Sequence, residues 1–342
     1  MATIATFGEI MLRLSPPRRE VLFQSPRLEA IFGGGEANVA VSLALFGHEV
    51  RYVSAIPQND IGEAAVRELR KWGVDTGCVL RQGRRLGIYY AETGANQRAS
   101  KVIYDRAGSA IAEAKAGDFD WKKVLSGVDW FHVTGITPAL SASAADLTLA
   151  AVKAARARNL RVSVDLNFRA KLWNYGKTAP EVMPEIVKYA DVLLGNEEDC
   201  QKALGLEAQI DVKVGRLKAG DYERLTGRVM KAFPNLSHAA ITLRESHDAG
   251  HNGWSGALRT RAGFITGPAY EIRHIVDRIG SGDAFAAGLI HGMLSLATDA
   301  EALAFALAAS CLKHSIPGDF NLVSEKDVRA LMEGDRSGRV RR

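Results

Sequence analysis

A short glycine-rich segment near residue 280 has the residue types needed to bind phosphate and to take a proton from a hydroxyl. It reads Asp277-Arg-Ile-Gly-Ser-Gly-Asp283 and precedes an apolar helical pattern that runs from Asp283 to about Leu296. A glycine-rich turn that opens a helix leaves backbone N–H groups unpaired at the positive end of the helix dipole, which favours phosphate. A carboxylate there, Asp283, suits general-base chemistry on an attacking hydroxyl. The alternative is a first-turn acid with a structural role only.

A second glycine-rich segment, Gly33-Gly-Gly-Glu-Ala-Asn38, follows a strand-like stretch and opens a predicted helix that runs to about Leu45. Its glycines allow the backbone to approach a ligand closely, and Asn38 offers a donor and an acceptor to a polyol. The alternative is a tight turn in which Asn38 makes a structural hydrogen bond. Neither a GxGxxG fingerprint at this segment nor a GxxxxGK[ST] phosphate loop is present. The missing glycine fingerprint argues against a nicotinamide dehydrogenase.

Three arginines, Arg106, Arg169 and Arg244, stand beside aromatic or strand residues. Arg169 follows a predicted strand, which places it near a crevice at the carboxyl ends of the strands. A planar guanidinium is well matched to carboxylate or phosphate oxygens. For any one of these arginines, a surface ion pair is the alternative.

Short apolar runs alternate with helical patterns such as Glu63–Trp72 and Ala144–Ala157, which predicts a parallel sheet covered on both faces. The predicted strands are Ile4–Phe7, Val50–Ala55, Trp130–Thr134, Arg161–Asp165, Val192–Leu194 and Ala239–Leu243. This architecture brings the polar segments to one crevice at the carboxyl ends of the strands.

Two stretches, 9–32 and 86–107, depart from this rhythm because they alternate β-type residues. The second predicts a hairpin that turns near Gly94–Gln97. Together the two stretches predict a small flap over the crevice, or alternatively a solvent-facing hairpin without a role. Residues 206–233 are polar and charged and are interpreted as a surface excursion.

The composition of the 342 residues excludes several classes of protein. Hydrophobic residues make up 47%, and the 44 Lys and Arg residues outnumber the 39 Asp and Glu residues. Part of that excess is a predicted basic tail, 336–342, and no basic stripe with interleaved aromatics indicates a nucleic-acid surface. Three scattered cysteines support neither a disulfide framework nor a zinc site. The sequence also has no signal-peptide pattern and no bilayer-length apolar run, which predicts a cytoplasmic protein.

The segments Gly33–Asn38 and Asp277–Asp283 together resemble the paired signatures of the ribokinase-like (phosphofructokinase-B type) sugar kinases. Within that family, longer phrases are similar to the 2-keto-3-deoxygluconate kinases and cover the chain in order. These phrases are GEIMLRLSPP, GIYYAETGANQRASKVIYDRAGSAI, WFHVTGITPAL, DLNFRAKLW, GNEEDC, ITLRES, KHSIPGDF and SGRV.

The resemblance implies a single domain over residues 1–335, a three-layer α/β/α sandwich with a mostly parallel central sheet and a small β-sheet lid. It implies ATP- and Mg²⁺-dependent phosphorylation of 2-dehydro-3-deoxy-D-gluconate at carbon 6. Asp283 would be the general base, and Gly280, Ser281 and Gly282 would form the anion hole. The implied substrate contacts are Gly34, Asn38, Tyr89, Tyr104, Arg106, Arg169 and Asp319. A keto-deoxy acid has a carboxylate for Arg106 and Arg169, which a neutral sugar lacks.

On the nucleotide side the sequence departs from the family pattern. The Asn-x-x-Glu motif, tied in the family to Mg²⁺ and phosphates, appears here as Asn196-Glu-Glu-Asp199, and Thr242-Leu-Arg departs from Thr-x-Gly. We therefore expect Glu198 or Asp199 at the metal, directly or through water. The expected ATP contacts are Asn167, Asn196, Arg244, Ser246, Gly280 and Gly282.

Other readings stay open. The wider family often uses a monovalent cation such as K⁺, and the sequence leaves its use here undecided. Lid strands often pair between subunits, which predicts a homo-oligomer.

The first functional alternative is a sibling kinase that acts on fructose, another ketose or another deoxy-ketoacid. The second is a non-catalytic sugar-binding sensor, for which a base at Asp283 would have no purpose.

Overall fold

The structure is a computed structural model that describes residues 1–206 and 219–335. The predicted tail 336–342 lies outside the described residues. Strands and helices are numbered in chain order. The central sheet contains β1 (Thr3–Phe7), β4 (Glu49–Ile56), β5 (Asp75–Arg81), β8 (Trp130–Thr134), β9 (Arg161–Asp165), β10 (Val192–Gly195), β11 (His238–Asp248), β12 (His251–Thr260), β13 (Phe264–Thr266) and β14 (Tyr270–Arg273). A second sheet contains β2 (Met11–Ser15), β3 (Glu29–Gly33), β6 (Gly87–Glu92) and β7 (Lys101–Asp105).

The central sheet has the strand order β13-β12-β11-β10-β9-β8-β1-β4-β5, with β14 paired to β12. All pairings from β11 to β5 are parallel, whereas β12, β13 and β14 pair antiparallel. The six predicted strands are confirmed, and β8 and β9 have the predicted bounds.

Helices cover both faces of this sheet, as the alternation of strands and helices predicts. They are α1 (Gly35–Leu45), α2 (Asp60–Lys71), α3 (Ala110–Glu113), α4 (Trp121–Val124), α5 (Ala142–Arg156), α6 (Ala179–Val187), α7 (Glu197–Leu204), α8 (Ala219–Ala232), α9 (Ser281–Ser295), α10 (Asp299–Lys313) and α11 (Glu325–Met332). Capping side chains set several of their starts. For example, Ser141 accepts a hydrogen bond from the Ala144 amide at 3.0 Å at the start of α5.

Two apolar cores separate the three layers, one on each face of the sheet. The first packs the sheet against α1, α2, α9, α10 and α11, and the second packs it against α3 to α8. Successive strand residues alternate between the two cores: Val192 and Leu194 enter the first, and Leu193 enters the second. The predicted three-layer sandwich is therefore confirmed.

The interpretation of 206–233 as a surface excursion is wrong for its described part. Residues 219–232 form α8, and Tyr222, Leu225 and Val229 are buried in the second core. These residues recur at intervals of three and four, so they form one apolar stripe on an otherwise charged helix. Residues 207–218 of that stretch lie outside the described residues.

The predicted small β lid is confirmed as the four-stranded sheet β3-β2-β6-β7. Its turn between β6 and β7 contains a bridge between Ala95 and Arg98, close to the predicted turn. Met11, Tyr89 and Ala91 form a small core of the lid, against which Ile279 packs. The lid therefore contacts the glycine-rich segment near residue 280. No helix in the described parts of the chain is long and apolar enough to cross a bilayer.

Candidate active site

A cavity of about 300 Å³ lies between the lid and the carboxyl ends of the central strands. Asp165 and Gly195, the last residues of β9 and β10, line its floor, and Tyr89 and Tyr104 line it from the lid. The carboxyl edge of a parallel sheet is the usual ligand site in such folds.

The cavity collects most of the side chains that the sequence singled out. Its lining includes Gly34, Asn38, Tyr89, Tyr104, Arg106, Asn167, Arg169, Asn196, Asp199, Arg244, Gly280, Ser281, Gly282, Asp283 and Asp319. Ser246 and Glu198 are exposed and do not line it. Ser246 lies two residues beyond Arg244 on β11, and Glu198 lies on the outer side of the first turn of α7. The structure therefore does not bring these two residues to the site.

Asp283 lies in the first turn of α9, after the turn at Gly280. Gly280 has φ of 85°, and a Cβ at this position would lie 2.1 Å from the Asp319 carbonyl oxygen, so the turn requires glycine. Burial raises the pKa of the Asp283 carboxyl to about 6, against the opposing effect of a hydrogen bond from Asn38. A carboxylate with such a pKa is deprotonated at neutral pH and still basic enough to accept a proton.

Asn38 joins the two glycine-rich segments. Its Nδ2 donates to Asp283 Oδ2 at 2.6 Å, and its Oδ1 accepts from the Gly34 amide at 3.2 Å. Asn38 thus makes the turn-type hydrogen bond that was the alternative to a binding role, and also orients the Asp283 carboxylate.

Glu36, in the same segment, is a positioning residue that the sequence analysis did not single out. It is buried and accepts hydrogen bonds from the Thr134 amide at 3.0 Å and the Thr134 hydroxyl at 2.8 Å. Burial raises the pKa of Glu36 to about 7. These bonds fix the start of α1 against the end of β8. The only sequence signal for Glu36 was its place in the Gly33–Asn38 segment, because a glutamate in the first turn of a helix is common.

The two arginines proposed for a substrate carboxylate have different surroundings. Arg106 is buried, and its Nε donates to Glu9 Oε2 at 2.7 Å, with a second bond from Nη2. Within the described residues, Nη1 of Arg106 and Oε1 of Glu9 are buried without a hydrogen-bond partner. Arg169 is exposed, and its Nη1 donates to the Phe168 carbonyl at 2.8 Å. The Arg106 and Glu9 side chains both line the cavity, so these unpaired atoms are available to a polar ligand.

Arg13 connects the lid to the 277–283 segment, and the sequence analysis missed it. Its side chain is 4% exposed and reaches from β2 to Asp277 at 2.7 Å and Asp319 at 2.8 Å. The Tyr89 hydroxyl also donates to Asp319. Asp277 in turn accepts from the Ile279 amide at 3.0 Å. Each oxygen of Asp319, an expected substrate contact, therefore already accepts one hydrogen bond within the protein.

Asp199, which stands where the family motif has glutamate, is hydrogen-bonded within the protein. Its Oδ2 accepts from the Asn196 amide at 3.0 Å, and Asn196 Oδ1 accepts from the Asp199 amide at 2.8 Å, which together form a capping box. Its Oδ1 accepts from the Phe168 amide at 2.9 Å. Burial raises the pKa of Asp199 to about 6. The aspartate thus holds α7 and the 165–169 loop together.

Asp165 is a further carboxylate of the cavity that sequence reasoning missed, although its place at the end of β9 was the signal for it. It is buried, and burial raises its pKa well above the ordinary value. Repulsion from the Asp199 and Asp283 carboxylates raises this pKa further. Two neighbouring carboxylates that raise the cost of ionising Asp165 favour a bound cation. Arg244, across the cavity, stacks over the Trp254 ring at 5.4 Å.

Comparison with known proteins places this arrangement in a family. The model of the pfkB family carbohydrate kinases matches residues 1–225 and 253–324. The chain belongs to the pfkB family of carbohydrate kinases. The family resemblance drawn from the two glycine-rich segments is therefore confirmed, and so is an enzyme of the carbohydrate kinase class.

Individual relatives of this pfkB-family kinase match over almost the whole chain. The crystal structure of a 2-dehydro-3-deoxygluconokinase from Thermotoga maritima is 44% identical, with a TM-score of 0.92, and covers 98% of this chain and 100% of its own. A 2-dehydro-3-deoxygalactonokinase of Haloferax volcanii is 30% identical over 98% of both chains. A 2-dehydro-3-deoxygluconokinase of Bacillus subtilis is 26% identical over 97% of this chain and 96% of its own.

Proposed function

We propose that this pfkB-family kinase transfers the terminal phosphoryl group of ATP to the carbon 6 hydroxyl of 2-dehydro-3-deoxy-D-gluconate. The observation that carries this proposal is the buried Asp283 carboxylate at the start of α9, in one cavity with Arg106 and Arg169. The Asp283 carboxylate suits phosphoryl transfer to a hydroxyl, and the two arginines suit a substrate that is an acid. The relatives named for this sugar acid support the same substrate class.

In the proposed reaction, Asp283 Oδ accepts the proton of the carbon 6 hydroxyl as the sugar oxygen attacks the terminal phosphorus. The new bond joins that oxygen to phosphorus, and the bond from phosphorus to the bridging oxygen of ADP breaks. The backbone N–H groups of Gly280, Ser281 and Gly282, at the start of α9, would stabilise the charge on the transferred group. Asn38 would hold the carboxylate in place through its 2.6 Å hydrogen bond.

The residues of the cavity fit a divalent metal that arrives with ATP. The buried Asp165 and Asp199 carboxylates supply the oxygen donors that Mg²⁺ prefers, and a cation would offset the repulsion that Asp199 exerts on Asp165. When bound, Mg²⁺ would neutralise charge on the phosphate oxygens. Asn167, Asn196 and Arg244 line the adjoining part of the cavity and remain the proposed nucleotide contacts.

A second candidate substrate is the galactonate form, the epimer at carbon 4. The 30% identity over 338 residues to the Haloferax volcanii 2-dehydro-3-deoxygalactonokinase favours it. Both sugar acids present the same carboxylate to the arginines and the same primary hydroxyl to Asp283. The two acids differ only in the configuration of the hydroxyl at carbon 4, which the cavity has to distinguish by hydrogen bonding.

Comparison of substrates tests the proposal directly. In a coupled ADP-release assay with ATP and Mg²⁺, we expect the keto-deoxy acids to exceed fructose and ribose in kcat/KM by more than ~100-fold, or about 2.7 kcal/mol. The ratio between the gluconate and galactonate forms decides between the two candidates. Comparable rates with fructose would reject the acid substrate but keep the kinase. Tight binding of the acid without ADP release would instead favour a non-catalytic sensor.

Replacement of Arg169 by alanine tests how the carboxylate is recognised. We expect the KM for the sugar acid to rise by ~10–100-fold, because a hydrogen bond to a charged group contributes about 1.5–3 kcal/mol. The KM for ATP should change much less. Arg158→Ala, which removes an exposed arginine outside the cavity lining, is the matched control and should leave both constants unchanged. Equal losses for sugar acid and ATP would assign Arg169 to phosphate instead.

A further inference from the structure

We propose that the hairpin β11–β12 and the neighbouring strand β14 form a binding site for a divalent transition-metal ion of the zinc type. The ligands are His247, His251 and Glu271. Atoms of these three side chains that are able to bind a metal lie within 4.8 Å of one another. Across residues 1–206 and 219–335, no other group of three or more His, Cys, Asp or Glu side chains meets that distance. The site is outside the cavity described above and does not depend on the proposed kinase reaction.

The pairing of β11 with β12 brings the two histidines to one face of the sheet. In the ladder between β11 and β12, Ser246 pairs with Asn252 and Asp248 pairs with His251, so His247 is an extra residue on β11. Glu245 pairs directly with Gly253, and side chains alternate faces along a strand, so His247 on β11 and His251 on β12 both lie on the face of that pair. The His247 and His251 ring centroids are consequently 4.4 Å apart.

The third ligand comes from the strand on the other side of β12. Gly253 pairs with Glu271, and His251 pairs with Arg273, so Glu271 and His251 are diagonal neighbours on one face. Gly253 has no side chain to separate them, and the Glu271 carboxylate is hydrogen-bonded to His251 Nε2. Glu245 also pairs with Gly253, from the β11 side, and adds a second negative charge on this face.

The donor set selects the class of metal. Two imidazoles and one carboxylate are typical of zinc and neighbouring transition metals, whereas Mg²⁺ and Ca²⁺ take oxygen ligands. The His251 side chain is 28% exposed and that of Glu271 is 51% exposed, so an ion has access from solvent and water has access to a fourth position. Tetrahedral ligands at zinc distances lie about 3.3 Å apart, which exposed side chains reach by small rotations.

Contacts of the hairpin tip indicate what the ion would stabilise. Arg278, which lines the cavity, donates to the Ala249 carbonyl at 2.6 Å, and the Ile275 amide donates to the Gly250 carbonyl at 3.0 Å. An ion held by β11, β12 and β14 would therefore cross-link the strands that support the start of the 277–283 segment. We expect bound zinc to raise the thermal stability of the protein.

Titration of the metal-free protein with Zn²⁺, without nucleotide, sugar or Mg²⁺, tests the site. We expect one equivalent per chain, and at least ~10-fold weaker binding in His247→Gln and in His251→Gln, or about 1.4 kcal/mol. His274→Gln, an exposed histidine one residue beyond β14, is the matched control and should bind like the wild type. Wild-type affinity in the His247→Gln/His251→Gln double variant, or no binding by the wild-type protein, would overturn the proposal.

A spectroscopic measurement on the wild-type protein covers the case in which a variant does not fold. X-ray absorption at the zinc edge should detect two imidazole nitrogens with oxygen ligands. Oxygen ligands alone would place the ion at the cavity carboxylates and overturn the proposal. Both readouts are independent of phosphoryl transfer, so a failure of the proposed kinase reaction would not change them. Mg²⁺-supported activity of the double variant should equal that of the wild type.

Discussion

Replacement of Asp283 by asparagine should lower kcat by ~10²–10⁴-fold, the usual contribution of a general base. Asparagine has nearly the same shape and still accepts the hydrogen bond from Asn38 Nδ2, but it cannot take a proton. The KM values should change far less than kcat, because the side chain acts on the proton as the new bond forms. Turnover close to that of the wild type would exclude the base role.

The wild-type pH profile should contain the same group. Burial raises the pKa of Asp283 to about 6, and only the deprotonated carboxylate accepts a proton. We therefore expect kcat/KM to rise with pH through about 6 and to level off above it. The residual activity of Asp283→Asn should lack this step, which separates Asp283 from other titrating groups of the cavity.

Asp283→Asn should also be more stable than the wild type at pH 8. The folded-state pKa is raised from 3.8 to about 6, so the folded protein favours the protonated carboxyl and loses stability as pH rises through this range. The gain from removing the charge is on the order of 3 kcal/mol at pH 8 and should disappear as pH falls below about 4. Urea unfolding of both proteins at pH 8 and at a pH below 4 measures this difference in the free energy of unfolding.

The control for the turnover measurement is Asp299→Asn. Asp299 is a first-turn acid of α10 outside the cavity lining, so this variant should retain wild-type turnover.

Replacement of Arg13 by methionine should lower the free energy of unfolding by about 3–5 kcal/mol. The guanidinium is 4% exposed and lies within 2.8 Å of both Asp277 and Asp319. Its removal leaves two buried carboxylates without their ion-pair partner, because the nearby buried Lys313 donates its hydrogen bond to the Ile316 carbonyl instead. Breaking a buried pair in this way costs more than the pair contributes. Urea unfolding at pH 7 measures the loss. Arg85→Met removes the exposed Arg85–Asp105 pair on the lid and should cost no more than about 1 kcal/mol.

A kinetic readout separates the role of Arg13 in the site from its role in stability. Because Arg13 joins β2 to the segment before Gly280 and to Asp319, we expect the folded variant at low temperature to show a raised KM for the sugar acid. Arg13→Lys keeps the charge but loses the planar fork, so it should recover stability better than it recovers KM. Unchanged kinetics in a folded Arg13→Met variant would restrict Arg13 to a structural role.

Much of the fold followed from local patterns in the sequence. Runs such as Arg161–Asp165 have the apolar residues of a strand buried on both faces, and the glycine-rich segments mark the starts of α1 and α9. These signals lie within a few residues of chain, where turn chemistry and side-chain periodicity act. The charged residues of α8 hid its apolar stripe, and that element was therefore interpreted wrongly.

The pairings inside the cavity came from the tertiary structure alone. Asn38 and Asp283 are 245 residues apart, and Arg13 and Asp319 are 306 apart. No local pattern distinguishes an arginine on a strand that faces solvent from one that faces a buried carboxylate. Arg106 is the same case, because its bond to Glu9 depends on how the lid closes over β1. The sequence by itself determined the residue types, the elements and the family. Burial and long-range contacts decided which charges face one another, because desolvation and pairing energies exist only once the layers have packed.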